Sequence, residues 1–90
     1  MIIITSNKLN PEDLTDSVRN PKNGAIITFL GTTRDNNEGK RVLYLDYETY
    51  QDMAYEMINQ ICNDVSLKWQ ISDISVAHRI GRVEIGEISL

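Results

Sequence analysis

Cysteine occurs once in this chain, at Cys62, and histidine once, at His78. A single thiol excludes an internal disulfide framework and any cysteine-built metal cluster, and a reducing compartment is the natural expectation. A single imidazole leaves no histidine-based metal centre within one chain. Long apolar runs are equally scarce. The opening Met1-Ile2-Ile3-Ile4-Thr5 has no basic flank and only three consecutive apolar residues after the methionine. It reads as a strand rather than a secretory signal, and no run approaches membrane-spanning length, so a cytoplasmic protein without membrane contact is expected. Also missing are a Gly-rich phosphate loop, HExxH, CxxC and a serine nucleophile elbow. Basic side chains are in the minority, nine against thirteen acidic ones, for a net charge of -4. That balance argues against nucleic acid as the main partner, because a phosphate backbone needs a basic surface. An anionic ligand would need a local basic pocket.

What is present fits one domain, residues 1–90, with a hydrophobic fraction of 41% and a charged fraction of 24%. A chain of this size buries only roughly 60–65% of its unfolded surface, so a modest core leaning on a partner is expected. The organising stretch is Gly24-Ala25-Ile26-Ile27-Thr28-Phe29-Leu30-Gly31-Thr32-Thr33-Arg34. A short apolar run rich in β-branched and aromatic residues and bounded by glycines reads as a buried strand. Arg34 sits at its mouth. There its fork of donors suits a phosphate or carboxylate, the plainer alternative being an ordinary solvated arginine at a strand end.

Around this strand the chain reads in order as follows. Ile2 to Thr5 is a first strand. Asn10-Pro11-Glu12-Asp13 starts a helix that runs to about Val18, with Asn as N-cap, Pro at the first position and two acids in the first turn. After Arg34, Asp35 to Lys40 carries the residues of a hairpin loop, somewhat long for a tight turn. A return strand covers Val42 to Tyr50, with Leu43, Leu45 and Tyr47 on one face and Val42, Tyr44, Asp46, Glu48 and Tyr50 on the other. From about Asp52 to Lys68 a helix places Met53, Met57, Ile61 and Val65 on one stripe, widened by Ala54, Ile58 and Cys62. Ile71 to Arg79 forms a third long strand, closed by Ile80-Gly81 and a turn through Arg82 to Glu84. Gly86 to Leu90 begins another strand. No breaker or polar tail follows it, and the expectation is of a sequence cut short there, with an exposed apolar edge at Leu90 that invites pairing.

Several side chains are candidates for chemistry. His78 is a general acid or base, or a structural hydrogen-bonding residue. Asp46 and Glu48, two apart on one strand face, form a carboxylate pair or an ordinary surface pair. Cys62 lies on the apolar helix face, where a buried structural thiol is the expectation rather than a nucleophile. Arg34, Lys40 and Arg41 stand at the two ends of the hairpin loop, with Arg79 and Arg82 further on. From the residues alone this is a small α+β domain with a candidate anion pocket.

The strand Gly24 to Arg34 resembles the signature strand of the large, catalytic subunit of molybdopterin synthase, the MoaE family. Further matches follow in order: Asn36-Asn37-Glu38-Gly39, then Leu45-Asp46-Tyr47-Glu48-Thr49-Tyr50, the Met-Ala-rich helix, Trp69, His78-Arg79-Ile80-Gly81 and Gly86-Glu87. The resemblance covers roughly residues 22 to 90. It implies an α+β, hammerhead-like fold, mainly antiparallel sheet packed against an amphipathic helix, and a central homodimer. It also implies a ubiquitin-like small subunit at each end, inserting its C-terminal Gly-Gly tail as a thiocarboxylate. The implied reaction transfers sulfur to cyclic pyranopterin monophosphate during molybdenum cofactor biosynthesis, with no resident cofactor or metal. By position, Thr32, Thr33 and Arg34 correspond to a substrate-binding segment. The family continues with a Ser-x-His-Arg segment, a further helix and two functional lysines, one regarded as catalytic. These would lie beyond Leu90, so no catalytic residue is assigned within the chain and the ninety residues alone are expected to be inactive. Two other readings remain: a non-catalytic module that holds a ubiquitin-like tail or a phosphorylated small molecule, and a purely structural dimerisation domain.

Overall fold

Local signals set the start of one helix and the end of the other. In the computed structural model, which describes residues 1–90, the first strand, β1 (Ile2–Thr5), leads to helix α1 (Pro11–Ser17). Asn10 is extended and its Oδ1 accepts the Glu12 N–H at 3.1 Å, while Glu12 and Asp13 sit at the positive end of the helix dipole. The second helix, after the strands described next, runs Gln51–Trp69 and stops at Gln70, which takes left-handed geometry at φ 55°.

Asn36–Asn37 (β2) and Lys40–Arg41 (β3) form a small antiparallel hairpin. Its turn is Glu38-Gly39, with φ of 52° and 78°. Two consecutive positive φ values give the turn twist that suits a two-residue hairpin. The stretch expected to be a long loop is therefore a tight ladder closed by Val42 N–H donating to Asp35 O at 2.7 Å. Next come β4 (Tyr44–Tyr47), helix α2 (Gln51–Trp69), β5 (Val76–Arg79) and β6 (Gly81–Glu84). β1 lies parallel to β5, with Ile2 opposite Val76 and Thr5 opposite Arg79. β4 lies antiparallel to β6, with Leu45 opposite Val83 and Tyr47 opposite Gly81. Gly81, at φ +78°, lets the chain swing from β5 straight into β6. Residues 86–90 then run antiparallel to residues 31–33, bridged at Thr32 and Ile88. Helix α2 packs against β1. The fold is α+β, and no helix is long and apolar enough to cross a membrane.

Ala77 and Val83 are the only buried apolar side chains, joined by buried Thr33 and Ser89. All four lie in β5, β6 or the paired segments 31–33 and 87–90. That node, rather than the stretch ahead of it, is the core.

Several expectations are corrected here. Gly24–Leu30 is not a buried strand. Its backbone makes no hydrogen bond to other backbone, and Ile27 and Phe29 are 94% and 74% exposed. Burying a strand takes a ladder along its edge and a layer over its face, and these residues receive neither. The edge expected to be open at Leu90 is closed: Gly31 N–H donates to Leu90 O at 2.9 Å, and Leu90 N–H returns to Gly31 O at 3.4 Å. Arg82 to Glu84 is strand, not turn, because Gly81 makes the reversal and β4 supplies a partner. The strands expected over Val42–Tyr50 and Ile71–Arg79 shorten to β4 and β5, the lengths over which a neighbour exists. On α2 the half-buried stripe is Ala54, Ile58, Cys62 and Val65, while Met53, Met57 and Ile61 stand 57–60% exposed. Two adjacent stripes share the same four-residue spacing, and contact with β1 selects the one with the smaller side chains. Cys62 is half-buried on that packed side.

Candidate functional site

Strand alternation sends Thr32 and Arg34 to one side and Thr33 to the other. Thr32 and Arg34 are exposed, whereas Thr33 is 3% exposed and its Oγ1 has no hydrogen-bond partner. The Thr33 backbone is held from both directions: its N–H donates to Glu87 O at 3.0 Å and its carbonyl accepts Gly86 N–H at 2.8 Å. The three positions are thus contiguous on a fixed backbone, but only Thr32 and Arg34 offer side chains to solvent.

Arg34 is aimed by the hairpin that follows it. Its Nη2 donates to Asn37 Oδ1 at 3.0 Å, and Asn37 lies opposite Lys40 across the β2–β3 ladder. This one contact brings Arg34 beside the turn that presents Lys40, with Arg41 opposite Asn36. None of Arg34, Lys40 and Arg41 forms an ion pair. Lys40 and Arg41 are successive β3 residues and so project to opposite faces of the hairpin, and each of the three cations lacks a carboxylate partner, which keeps its charge available to an incoming anion. In the sequence Asn37 stands only as part of the Asn36-Asn37-Glu38-Gly39 match, with no role assigned; its place beside a Glu-Gly turn is the signal that could have found one.

The segment bonded to Thr33 carries an ionic knot that the sequence did not reveal. Glu87 pairs with Arg79 Nη1 at 3.2 Å and Lys8 Nζ at 3.3 Å, and its Oε1 accepts the Glu84 N–H at 3.0 Å. The Glu84 N–H, then Lys8 and Arg79, hold the Glu87 carboxyl below its ordinary value of 4.5, against a smaller opposing effect of burial. Arg79 also donates Nη2 to Arg82 O at 3.0 Å, while its Nε is buried without a partner. The knot ties β5, β6 and the loop after β1 to the segment that pairs with Thr33.

His78 is oriented by contacts the sequence left open. Its Nδ1 lies 2.8 Å from Ser89 O, which also accepts the Arg79 N–H at 3.0 Å. A carbonyl can only accept, so Nδ1 carries the proton and Nε2 is the nitrogen left for other partners. Tyr47 meets the ring edge-on at 5.2 Å between centroids. Asp46 and Glu48 are both exposed. Arg82 stacks over Tyr44 at 3.9 Å and pairs with Glu84 at 2.7 Å, so it is already engaged. No three His, Cys, Asp or Glu side chains converge as a metal site would require.

These features define a small α+β domain whose hairpin displays uncommitted cations next to a backbone-clamped Thr-Thr-Arg segment. The match to the model described as "MoaE protein" spans residues 4–90, and the chain belongs to the MoaE family. It is similar to the molybdopterin synthase catalytic subunit of Homo sapiens, at 42% identity over 90 residues, covering 100% of this chain and 48% of that protein. The protein of the same name from Bacillus subtilis (strain 168) is 39% identical over 87 residues, covering 97% of this chain and 55% of that one. Molybdopterin synthase catalytic subunit 1 of Aedes aegypti is 42% identical over 88 residues, with 97% and 57% covered. The chain spans about half the length of the curated relatives it matches.

Proposed function

We propose that this chain forms part of a molybdopterin synthase catalytic subunit, acting in molybdenum cofactor biosynthesis. In this reading, sulfur carried as a thiocarboxylate on the tail of a ubiquitin-like small subunit passes to cyclic pyranopterin monophosphate, and the catalytic subunit works as a homodimer. The observation that carries the reading is Arg34, exposed beside the clamped Thr33 backbone and without a carboxylate partner. The substrate phosphate and the thiocarboxylate are both anions, and Arg34, Lys40 and Arg41 have no ion pair to give up before binding one.

Within that reading the roles divide by direction. Arg34, braced by Asn37, neutralises the phosphate or a developing oxyanion, and a donor fixed before the reaction needs no reorganisation during it. Thr32 adds an exposed hydroxyl. Thr33 serves through its backbone, whose bonds to Gly86 and Glu87 hold its neighbours in place. Activation of the substrate or stabilisation of a tetrahedral intermediate needs further cations, expected from the part of a relative-length subunit that these ninety residues do not include. The chain by itself is therefore expected to give no detectable conversion.

The test pairs this chain, and a form extended to the relatives' length, with thiocarboxylated small subunit and cyclic pyranopterin monophosphate. The expected result is product from the extended form only. Arg34→Ala in that form should lose about a hundred- to a thousandfold in rate, the size of effect seen when one such donor is removed. Arg34→Lys should recover part of it, because the charge returns without the bidentate fork. Unchanged turnover in Arg34→Ala would remove the site assignment, and near-normal turnover by the ninety residues would remove the expectation of inactivity.

A further inference from the structure

The segment that holds Thr33 is not a regular strand. Gly86 stands at φ +82°, and Glu87 N–H donates to Glu84 O at 3.0 Å, which makes a turn whose third residue needs positive φ. Gly86 N–H then donates to Thr33 O and Thr33 N–H to Glu87 O, so two residues face one across the ladder. This is a glycine-type β-bulge, a distortion that ends pairing or re-aims a side chain beside a site. Here it ends pairing: Arg34 follows Thr33 directly, and its backbone bonds to no other backbone. The Glu87 side chain takes the play out of the bulge. Its Oε1 is shared by the Glu84 N–H and Arg79 Nη1, and its Oε2 meets Lys8 Nζ. Of the four ion pairs, Arg79–Glu87 is the one with both side chains largely shielded, at 12% and 21% exposed.

On the reading of Arg34 as the anion-binding residue, we propose that Glu87 is a positioning residue for that site: its carboxylate fixes the bulge from which Thr33 hangs, and so sets the direction in which Arg34 leaves the sheet. The carboxylate is already held by two cations and an amide, so its part is to hold geometry rather than to bind substrate or move a proton. Two effects of the residue oppose each other at Arg34. As a negative charge it disfavours an anion nearby, and its removal would also release Arg79 and Lys8 as free cations. Charge alone therefore makes a neutral residue at this position strengthen anion binding. As the anchor of the bulge, Glu87 favours binding, because a guanidinium aimed in advance has less freedom to lose when the anion arrives. The second effect is the larger, and the sign of the change distinguishes them.

The test titrates sulfate, whose charge is constant across neutral pH, into the chain at fixed ionic strength while NMR follows the amide signals of residues 32–34. Glu87→Gln keeps the size and the acceptor for the Glu84 N–H and loses only the charge. It should bind sulfate about three- to tenfold more weakly than the native chain, the effect expected when one more side chain must be immobilised on binding. Gly86→Ala disturbs the same bulge from its other residue. An added Cβ there meets nothing within 4 Å, so the change acts through φ alone, and the weakening should be similar. Ile58→Ala, on the side of α2 that packs against β1, loosens the fold away from the bulge and should leave sulfate affinity unchanged. Circular dichroism checks that each variant is folded, and should Glu87→Gln fail to fold, Gly86→Ala decides. Unchanged or tighter binding in either bulge variant, or equal weakening in Ile58→Ala, would overturn the positioning role while leaving Arg34 as the anion site. Arg34→Ala should abolish the sulfate response; an unchanged response there would remove the anion reading itself, and the positioning role with it.

Discussion

Replacing Val83 by Ala should destabilise this domain far more than replacing Ile27, although Ile27 lies in the more hydrophobic stretch. Val83 is fully shielded from solvent and faces Leu45 across the β4–β6 ladder; Ile27 is 94% exposed. Val83→Ala deletes two methyl groups from a closed site, about 1.6 kcal/mol of transfer free energy at about 0.8 each. The space left behind adds roughly 0.5–1 kcal/mol where neighbours relax incompletely. The sum is about 2–2.5 kcal/mol. At about 4–8 °C per kcal/mol for a domain of this size, the midpoint should fall by about 8–20 °C. Ile27→Ala should stay within about 0.5 kcal/mol, because it removes surface that water already reaches. Urea unfolding followed by circular dichroism measures both, at a concentration low enough that any dimer has dissociated, and an unchanged slope would place the effect in stability. Equal losses in the two variants, or a larger one for Ile27→Ala, would refute the placement of the core at the β5–β6 node.

The Glu87 knot gives a pH signature. Its carboxyl is held below 4.5 in the folded chain, so its contribution is fully present above that value and is lost as pH falls through the lowered one; the midpoint difference between the native chain and Glu87→Gln should be flat from pH 7 to about 5 and shrink below 4.5, and a constant difference down to pH 3 would refute the coupling. At Gly39, φ is +78° and an added Cβ would meet nothing within 4 Å, so Gly39→Ala should cost about 1–2 kcal/mol through backbone geometry alone. Hydrogen exchange at Val42 N–H should quicken in that variant, and Gly39→Asn should recover much of the loss because Asn tolerates left-handed geometry; an Ala variant indistinguishable from the native chain would contradict this.

What was legible in the sequence was local. Asn10-Pro11-Glu12-Asp13 marks its helix start because cap, ring and dipole act within one turn, and the structure begins α1 at Pro11. The hairpin residues were recognised for the same reason, although the turn proved tighter than the loop expected. The α+β class and the MoaE resemblance are likewise readable in the residues themselves. What was not legible depended on partners distant in the chain. The apolar run from Ala25 to Leu30 says that these residues would gain from burial, but not whether anything lies over them. Met53, Met57 and Ile61 looked like the packing stripe of α2 until β1 selected Ala54, Ile58 and Cys62. At the candidate site, Arg34 was visible as a charge after a strand, but its brace on Asn37 and the clamp on Thr33 are products of tertiary pairing. The Lys8–Glu87–Arg79 knot joins residues from two ends of the sequence, and no local spacing encodes it.

The parallel pairing of β1 with β5 also sets a timetable. The Met1 ammonium donates to Ile74 O, a partner 73 residues away, and every rung of that ladder spans a similar distance. Closing so long a loop costs entropy before any contact returns stability, so this pairing should form late in folding. During synthesis at about 5–20 residues per second, roughly 4–15 s separate the emergence of Ile2 from that of its partner Val76. Throughout that interval Ile2-Ile3-Ile4 is a β-branched segment with no strand partner, and the helix that packs on it, α2, is itself completed only at Trp69. The strand made first is thus the one that waits longest, and the yield of folded chain should respond to whatever shields those three isoleucines while the rest is being made.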